Sequence, residues 1–256
     1  MNTAEYARMF EAEDAQWWYA GMRALSFALL DPALPAAGER PRLLDAGCGT
    51  GGNLVRLAER GRALGVDVSV DALSLARTRG VDVARASLLA LPFPDGAFDV
   101  VTCFDVLYHR WVADDLAATR ELVRVLRPGG LLLVRVPALR LLWGAHDEAV
   151  HSRARYTRAE LRRLLAAAGL VVRRATYCNT ILFPLVAARR LLDRVTGRQG
   201  SDVAFLPAPL ERLFRGALAV EERAVRVLSL PLGTSVVALG QRPETASVEG
   251  PGRMAR

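Results

Sequence analysis

Short apolar runs alternate along this chain with longer stretches in which apolar residues return every three or four positions. The short runs predict one buried strand ending at Leu43-Leu44 and others at Ala63–Asp67, Val81–Ala84, Ala97–Phe104, Leu131–Val136, Leu170–Tyr177 and Ser235–Leu239. The longer stretches predict helices. One covers Ala4–Leu30, in two pieces. One begins near Asn53, and one follows the cap Ser69 with Ala72, Leu73 and Ala76 inward. One covers Ala113–Leu126 with Leu116, Val123 and Leu126 inward, ended by Arg127-Pro128-Gly129-Gly130. Another opens on the capping box Thr157-Arg158-Ala159-Glu160, runs through Leu161, Leu164, Leu165 and Ala168, and stops at Gly169. Helices alternating with short buried strands predict an α/β fold around a mostly parallel sheet.

The same pattern divides the chain. Residues 1–42 form a helical arm followed by a turn-rich linker at Pro35–Pro41. Three consecutive aromatics, Trp17-Trp18-Tyr19, cannot all face one core, so the arm reads either as a clasp on the main domain or as a lid over a ligand, with Arg23 offered to a carboxylate. Residues 43–177 form the core. Residues 178–234 form a helical insertion before the last strand at 235–240, with a polar link expected at Gly197–Asp202. Within it, Thr180–Val186 is apolar, Phe183–Arg190 carries apolar and basic faces, and Pro207–Leu228 is amphipathic. The insertion reads as a helical cap, a wall for an apolar substrate, a monotopic membrane contact or a homodimer face. Residues 241–256 read as a disordered tail.

Composition changes the picture little. Over 256 residues the chain is 52% hydrophobic, enough to bury a sizeable core. All 34 basic residues are arginine and isoleucine occurs once, which reads as coding bias. The net charge of +7 is spread along the chain without a basic block, which argues against a nucleic-acid partner. Cys48, Cys103 and Cys178 are far apart, so neither a disulfide framework nor a zinc knuckle is indicated. Met1–Glu13 is polar and acidic, and no apolar stretch is long enough to span a bilayer. The expectation is a cytoplasmic protein, with peripheral membrane contact as the variant.

The candidate chemistry starts at Leu43-Leu44-Asp45-Ala46-Gly47-Cys48-Gly49-Thr50-Gly51-Gly52. Glycines let backbone approach a ligand, and the helix that follows points free N–H groups at the same place. Gly47, Gly49 and Gly52 fit a dinucleotide pattern; Asp45, Gly47, Gly49 and Gly51 fit D-x-G-x-G-x-G. About twenty residues on, Asp67 ends a strand where a carboxylate can accept from a ribose diol. Asp105 to His109 fall past the end of the fourth strand, at the expected mouth.

Asp45-Ala-Gly-Cys-Gly-Thr-Gly, Asp67, Leu91-Pro-Phe-Pro-Asp-Gly-Ala-Phe-Asp99 and Leu126-Arg-Pro-Gly-Gly130, in that order, resemble the class I S-adenosylmethionine-dependent methyltransferases of the small-molecule and ubiquinone type. The Trp-Trp-Tyr arm and the segment Gly144-x-His146-Asp147 through His151, Arg153 and Tyr156-Thr157 resemble a bacterial branch of that group. The resemblance implies a Rossmann-like, seven-stranded sheet with helices on both faces. It implies S-adenosylmethionine as cofactor and S-adenosylhomocysteine as product. Asp45 and Gly47 would face the amino acid end of the cofactor, Cys48, Gly49 and Gly51 would complete the loop beneath it, Asp67 would hold the ribose, and Val68 and the Leu88 backbone would meet the adenine. Ser87 stands where such families often carry an acid. Asp105 would lie near the sulfonium or the substrate, and Trp18 and Arg23 would close from the arm. A dehydrogenase is the structural rival; the acid directly before the glycines and the Pro-Gly-Gly turn favour the methyltransferase.

Methyl transfer to a hydroxyl or amine is helped by a base near neutral pH, and His109, His146 and His151 are the candidates. Asp105 orients one, and Tyr156 and Arg153 position the substrate. An alternative reading of this segment makes His146 and Asp147 a helix cap. A metal site is not indicated, because H-E-x-x-H is absent and His146 and His151 are off helix spacing. The expected function is methyl transfer to a small-molecule or lipid-type acceptor. The alternatives are a cyclase or decarboxylase using the same cofactor, and a cofactor-binding interaction protein without catalysis.

Overall fold

The computed structural model describes residues 3–34, 39–196 and 206–244. Its elements, in order, are α1 (Thr3–Ala15), α2 (Trp17–Leu30), β1 (Arg42–Ala46), α3 (Gly52–Ala58), β2 (Arg62–Asp67), α4 (Val70–Thr78), β3 (Val83–Arg85), β4 (Phe98–Phe104), α5 (Asp115–Val125), β5 (Leu126–Pro137), α6 (Ala145–Ala149), α7 (Arg158–Ala167), β6 (Val171–Cys178), α8 (Phe183–Thr196), α9 (Ala208–Val225) and β7 (Ser235–Gln241). The expected link at Gly197–Asp202 lies outside the described residues, as do residues 245–256 of the expected tail.

Seven strands form one sheet in the order β3-β2-β1-β4-β5-β7-β6. Neighbours pair in parallel from β3 to β5, and β7 runs antiparallel to both β5 and β6. This is the mostly parallel α/β sheet expected from the alternating pattern, in the Rossmann-like, seven-stranded form that the resemblance implied. The strand order reverses between β1 and β4, where the loops leaving their carboxyl ends diverge and leave a crevice.

Strand alternation sorts the core. Leu44, Val101 and Leu132 pack with Leu122 and Val125 of α5 and with Leu161 and Leu165 of α7. Their neighbours Leu43, Val100, Leu131 and Leu133 point to the other face, against Met22, Leu25 and Leu30 of α2 and Leu218 and Val225 of α9. The second half of the arm is therefore a core helix. Gly21 makes this possible: a Cβ there would lie 2.2 Å from Leu218 Cδ1, so α2 and α9 meet only over a bare glycine. Trp17 extends the contact edge-on to Phe214, at 4.9 Å between ring centroids.

Three local expectations change. The buried stripe of α5 is Ala118, Leu122 and Val125, with Leu116 and Val123 only half-buried. The helix begins at its cap Asp114, and Leu126 already pairs with Phe98 as strand, which rotates the stripe. The Pro-Gly-Gly segment then lies inside β5, with Gly129 at φ +76°. The tail is ordered at its start, since Gln241 closes β7 and the Arg242 side chain donates to the carbonyls of Val123, Arg124 and Leu126.

Candidate active site

One cavity of about 470 Å³ opens over the carboxyl ends of the parallel strands. Gly47, Cys48 and Gly49 line it from beyond β1, Asp67 and Val68 from β2, Ser87 and Leu88 from beyond β3, and Asp105 from β4. Its size falls in the usual range for small-molecule sites.

The glycine loop is built from left-handed backbone: Gly47, Gly49 and Gly51 have φ of +84°, +53° and +87°. At Gly47 a Cβ would also lie 2.2 Å from Val106 Cγ2. Gly51 is the N-cap of α3 and lies behind the loop, outside the cavity wall. Asp67 ties the loop to the second strand, accepting from the Gly49 N–H at 3.0 Å and the Ser69 N–H at 2.9 Å. Burial raises its carboxyl above the usual range, opposed by these backbone donors. Each oxygen keeps a further lone pair for a ligand. Ser87 accepts the Leu89 N–H through its hydroxyl.

Asp45 lies beneath the loop and is not on the cavity wall. Its Oδ1 accepts from Thr102 at 2.7 Å, while the buried Oδ2 has no partner among the described residues. Burial pushes this carboxyl up to about 7, against the pull of Thr102. Cys48 is a buried thiol raised in pKa by the same burial, so it stays neutral.

The arm closes the crevice from one side. Tyr6 and Met9 of α1 and Trp17 and Trp18 of α2 line the cavity. Glu13, 6% exposed, fastens α1: its Oε2 accepts from Thr50 Oγ1 at 2.6 Å, the Gly52 N–H at 3.1 Å and Arg79 at 3.2 Å. Arg23 does not reach the cavity. It donates to the Glu13 carbonyl at 2.8 Å and to Asn53 Oδ1 at 3.2 Å, because a buried guanidinium satisfies its donors on the nearest oxygens.

At the other end, Asp105 sits just past β4 with φ +58°, a conformation uncommon for a residue with a side chain. Its Oδ2 takes both Arg135 Nε at 2.8 Å and Nη2 at 2.6 Å. Arg135 also reaches Ser26 of α2 at 3.1 Å and lies over the Phe104 ring at 4.9 Å, so arm, sheet and cavity share one buried cation. Sequence reasoning passed over this residue; its signal was an arginine inside the apolar run of β5.

The histidines separate. His109 and His146 line the cavity; His151, at φ +54°, does not. His109 stacks on Trp111 at 4.1 Å, and its Nδ1 lies 2.9 Å from the Val150 carbonyl. A carbonyl only accepts, so Nδ1 carries the hydrogen and Nε2 is left as an acceptor. Burial lowers its pKa to about 4. Tyr156 is buried away from the cavity, donating to Asp115 Oδ2 at 2.7 Å, and Arg153 pairs with the same carboxylate at 3.4 Å. Both brace the start of α5. Asp147 is 2% exposed and holds Arg155 through bonds of 2.7 and 3.0 Å and the Gly144 N–H at 2.8 Å. A Cβ at Gly144 would lie 2.7 Å from Arg190 Nη1 of α8. The polar motif of residues 144–157 is thus largely a self-bonded scaffold that presents His146.

A seven-stranded Rossmann-like sheet with a left-handed glycine loop tied to a strand-end carboxylate is the arrangement that the resemblance to class I S-adenosylmethionine-dependent methyltransferases implied. Residues 44–134 match the family model described as a methyltransferase domain. A "Probable S-adenosylmethionine-dependent methyltransferase" of Mycolicibacterium smegmatis is 36% identical over 136 residues, 51% of this chain and 52% of that protein. The chain thus spans about half the length of this curated relative. Among solved structures, an S-adenosylmethionine-dependent methyltransferase from Mesorhizobium loti superposes with a TM-score of 0.57 at 19% identity, covering 85% of this chain and 98% of that one. The [4+2]-cyclase SpnF does so at 0.56 and 25%, covering 85% and 80%.

The residues fit the cofactor of this class. A ribose diol needs an acceptor at the end of β2, and Asp67 supplies one. A close backbone approach needs bare glycines, and Gly47 has no room for a side chain. An amino acid end brings N–H donors, and Asp45 Oδ2 is a buried acceptor beneath the loop with no partner among the described residues.

Proposed function

We propose that this chain transfers a methyl group from S-adenosylmethionine to a small-molecule or lipid-type acceptor by in-line displacement. The observation that carries the reading is the loop itself: three glycines in left-handed conformation, closed by Asp67 through the Gly49 N–H, at the switch point of the sheet. When bound, the cofactor supplies an electrophilic methyl on a good leaving group, so the protein's main task is alignment.

In this reading Asp67 holds the ribose hydroxyls, Val68 and Leu88 flank the adenine, and Asp45 accepts from the N–H donors of the amino acid end from beneath the loop. Tyr6, Met9 and Trp18 exclude water from the crevice. Arg135 fixes Asp105 at the boundary between cofactor and acceptor ends. His109 is neutral at physiological pH and presents Nε2, which orients an acceptor hydroxyl or amine but holds a proton weakly. His146 is the residue we assign as base. Its place in the first turn of α6 is fixed by the Asp147–Arg155 pair.

The test is calorimetric titration with S-adenosylmethionine, followed by assay for S-adenosylhomocysteine with pooled hydroxyl and amine acceptors. Binding with product formation is expected. An empty crevice, or nicotinamide binding in its place, overturns the reading. The likeness to a cyclase favours one alternative, a non-methylating enzyme on the same cofactor site. Substrate turnover with S-adenosylmethionine unchanged would establish that alternative instead.

A further inference from the structure

Helix α8 is built inside out. In a helix packed on a domain, the apolar stripe faces the core and the charged residues face water. Here Arg190 is 8% exposed, while Leu185, Leu191 and Leu192 are 55%, 62% and 61% exposed. Pro184, Leu185, Ala188, Leu191 and Leu192 recur at helical spacing on the outer face, and all five are exposed. The inner face carries Val186 and Arg190 into the cavity wall, with the exposed Arg189 on its flank paired to Asp193. Arg194 fastens the helix to the loop before α6 through the Trp143 carbonyl at 3.0 Å.

Helix α9 is oriented in the ordinary sense, with apolar residues packed on α2. Its inner stripe of Leu218, Glu221 and Val225 is buried. Leu213 and Val220 are exposed on its outer face, as is Val227 just beyond its end, with the exposed Arg212 and Arg223 beside them.

We propose that the outer face of α8 seats on an anionic phospholipid surface. Charge selects this occupant. The described residues of 178–234 include seven arginines and four acids, so the apolar stripe sits in a net basic surround. A second copy of the chain would bring two basic rims together, whereas an anionic bilayer neutralises them. The geometry also gives the seat a purpose: the helix whose outer side meets the lipid has its inner side on the acceptor end of the cavity, the arrangement expected when an amphipathic acceptor enters from the membrane. That last clause rests on the methyl-transfer reading; the docking does not.

The test is co-sedimentation of the full chain with vesicles of phosphatidylcholine and phosphatidylglycerol, and with phosphatidylcholine alone. Binding to the anionic vesicles is expected, weakening as salt is raised. The double substitution Leu191→Ser, Leu192→Ser should lower the partition coefficient by roughly tenfold or more, with its thermal melt unchanged because both side chains already face water. Val171→Ser, at an exposed site on the sheet edge, should bind like the parent. Equal binding by the parent and the double variant, or none by the parent, overturns the proposal. So does a dimer in light scattering that the double substitution dissociates, because that makes the face an interface between copies. S-adenosylmethionine titrated into the same samples keeps the two readings apart, since vesicle binding without cofactor binding removes only the methyl-transfer reading.

Discussion

Glu13 is the place where a single substitution should separate the arm from the cofactor crevice. Its carboxylate bonds the backbone opening α3, through the Gly52 N–H. The same oxygen takes the Thr50 hydroxyl and Arg79. Arg79 in turn donates to the carbonyls of Thr50 and Phe10, both at 2.9 Å, and lies over the Phe10 ring at 4.1 Å. Glu13→Ala leaves a buried hydroxyl and a buried N–H unmatched and strips one partner from Arg79. Breaking a buried ion pair by removing one member costs about 3–5 kcal/mol. The Glu13 carboxyl is raised in pKa, chiefly by burial and despite Thr50, Arg79 and Arg23, so its ionised form is incompletely repaid. The loss should therefore fall at the lower end, about 3 kcal/mol. Glu13→Gln keeps an acceptor for Thr50 and Gly52 and loses only the charge facing Arg79, so about 1 kcal/mol is expected.

The functional consequence follows from what α1 carries. Tyr6 and Met9 are cavity wall only while α1 is docked, and a ligand that needs them binds in proportion to the docked fraction. We expect S-adenosylhomocysteine affinity to fall about tenfold or more in Glu13→Ala and less in Glu13→Gln. The assays are calorimetric titration and hydrogen exchange of the α1 amides. Unchanged affinity with unchanged α1 protection in Glu13→Ala would refute the reasoning, since the carboxylate would then be a dispensable surface bond.

Four further outcomes are expected. Asp67→Ala should weaken S-adenosylmethionine binding by roughly tenfold or more in titration, because it removes the acceptor of the Gly49 and Ser69 N–H groups as well as a charge-assisted ligand contact. Gly47→Ala should destabilise by about 2–4 kcal/mol in denaturant unfolding, and Val106→Ala should restore only part of that, since relieving the clash does not relieve a left-handed φ. His109 has a folded pKa of about 4 against an ordinary 6.5, so between those values the unfolded chain binds more protons and stability falls as pH falls. The loss is up to about 3 kcal/mol, and His109→Gln should flatten that slope in melts between neutral and acid pH. His146→Ala should spare S-adenosylhomocysteine binding and slow product formation by about a hundredfold; unchanged turnover removes His146 from the chemistry.

Much of the fold was legible because its signals are local. Apolar runs bounded by turn residues marked each strand, Ser69 and the Thr157–Glu160 box marked helix starts, and both caps are formed. Asp45-x-Gly-x-Gly-x-Gly gave away the crevice because only glycine tolerates its backbone. What stayed hidden depends on partners far along the chain. Glu13 looks like any acid on an amphipathic helix until it is brought to Thr50, 37 residues on. Arg135 was visible as an oddity, but its partner Asp105 is 30 residues away. The inversion of α8 was also beyond reach: periodicity shows that a helix has two faces, and only the tertiary fold decides which one meets the domain.

The segment 144–157 shows why polar density is a poor guide to the reacting groups. Its charged residues sit at the mouth of the crevice, where any ion removed from water must find a counter-ion. Asp147 and Arg155, eight positions apart, find each other; Tyr156 and Arg153 find Asp115; Gly144 leaves room for Arg190. Each of these groups is already committed, so its removal should lower stability before it alters chemistry. His109 and His146 are the members of the mouth that reach the cavity with a ring able to change partners. Their surroundings divide the work: burial keeps His109 neutral, with its tautomer fixed by the Val150 carbonyl, while His146 rides on a helix end that the Asp147 scaffold holds in place. A substitution series across this segment should therefore split in two. Variants at Asp147, Arg155 and Tyr156 should shift melting temperature with S-adenosylhomocysteine affinity largely kept, and variants at His109 and His146 should shift turnover and its pH profile with the melting temperature at neutral pH largely kept.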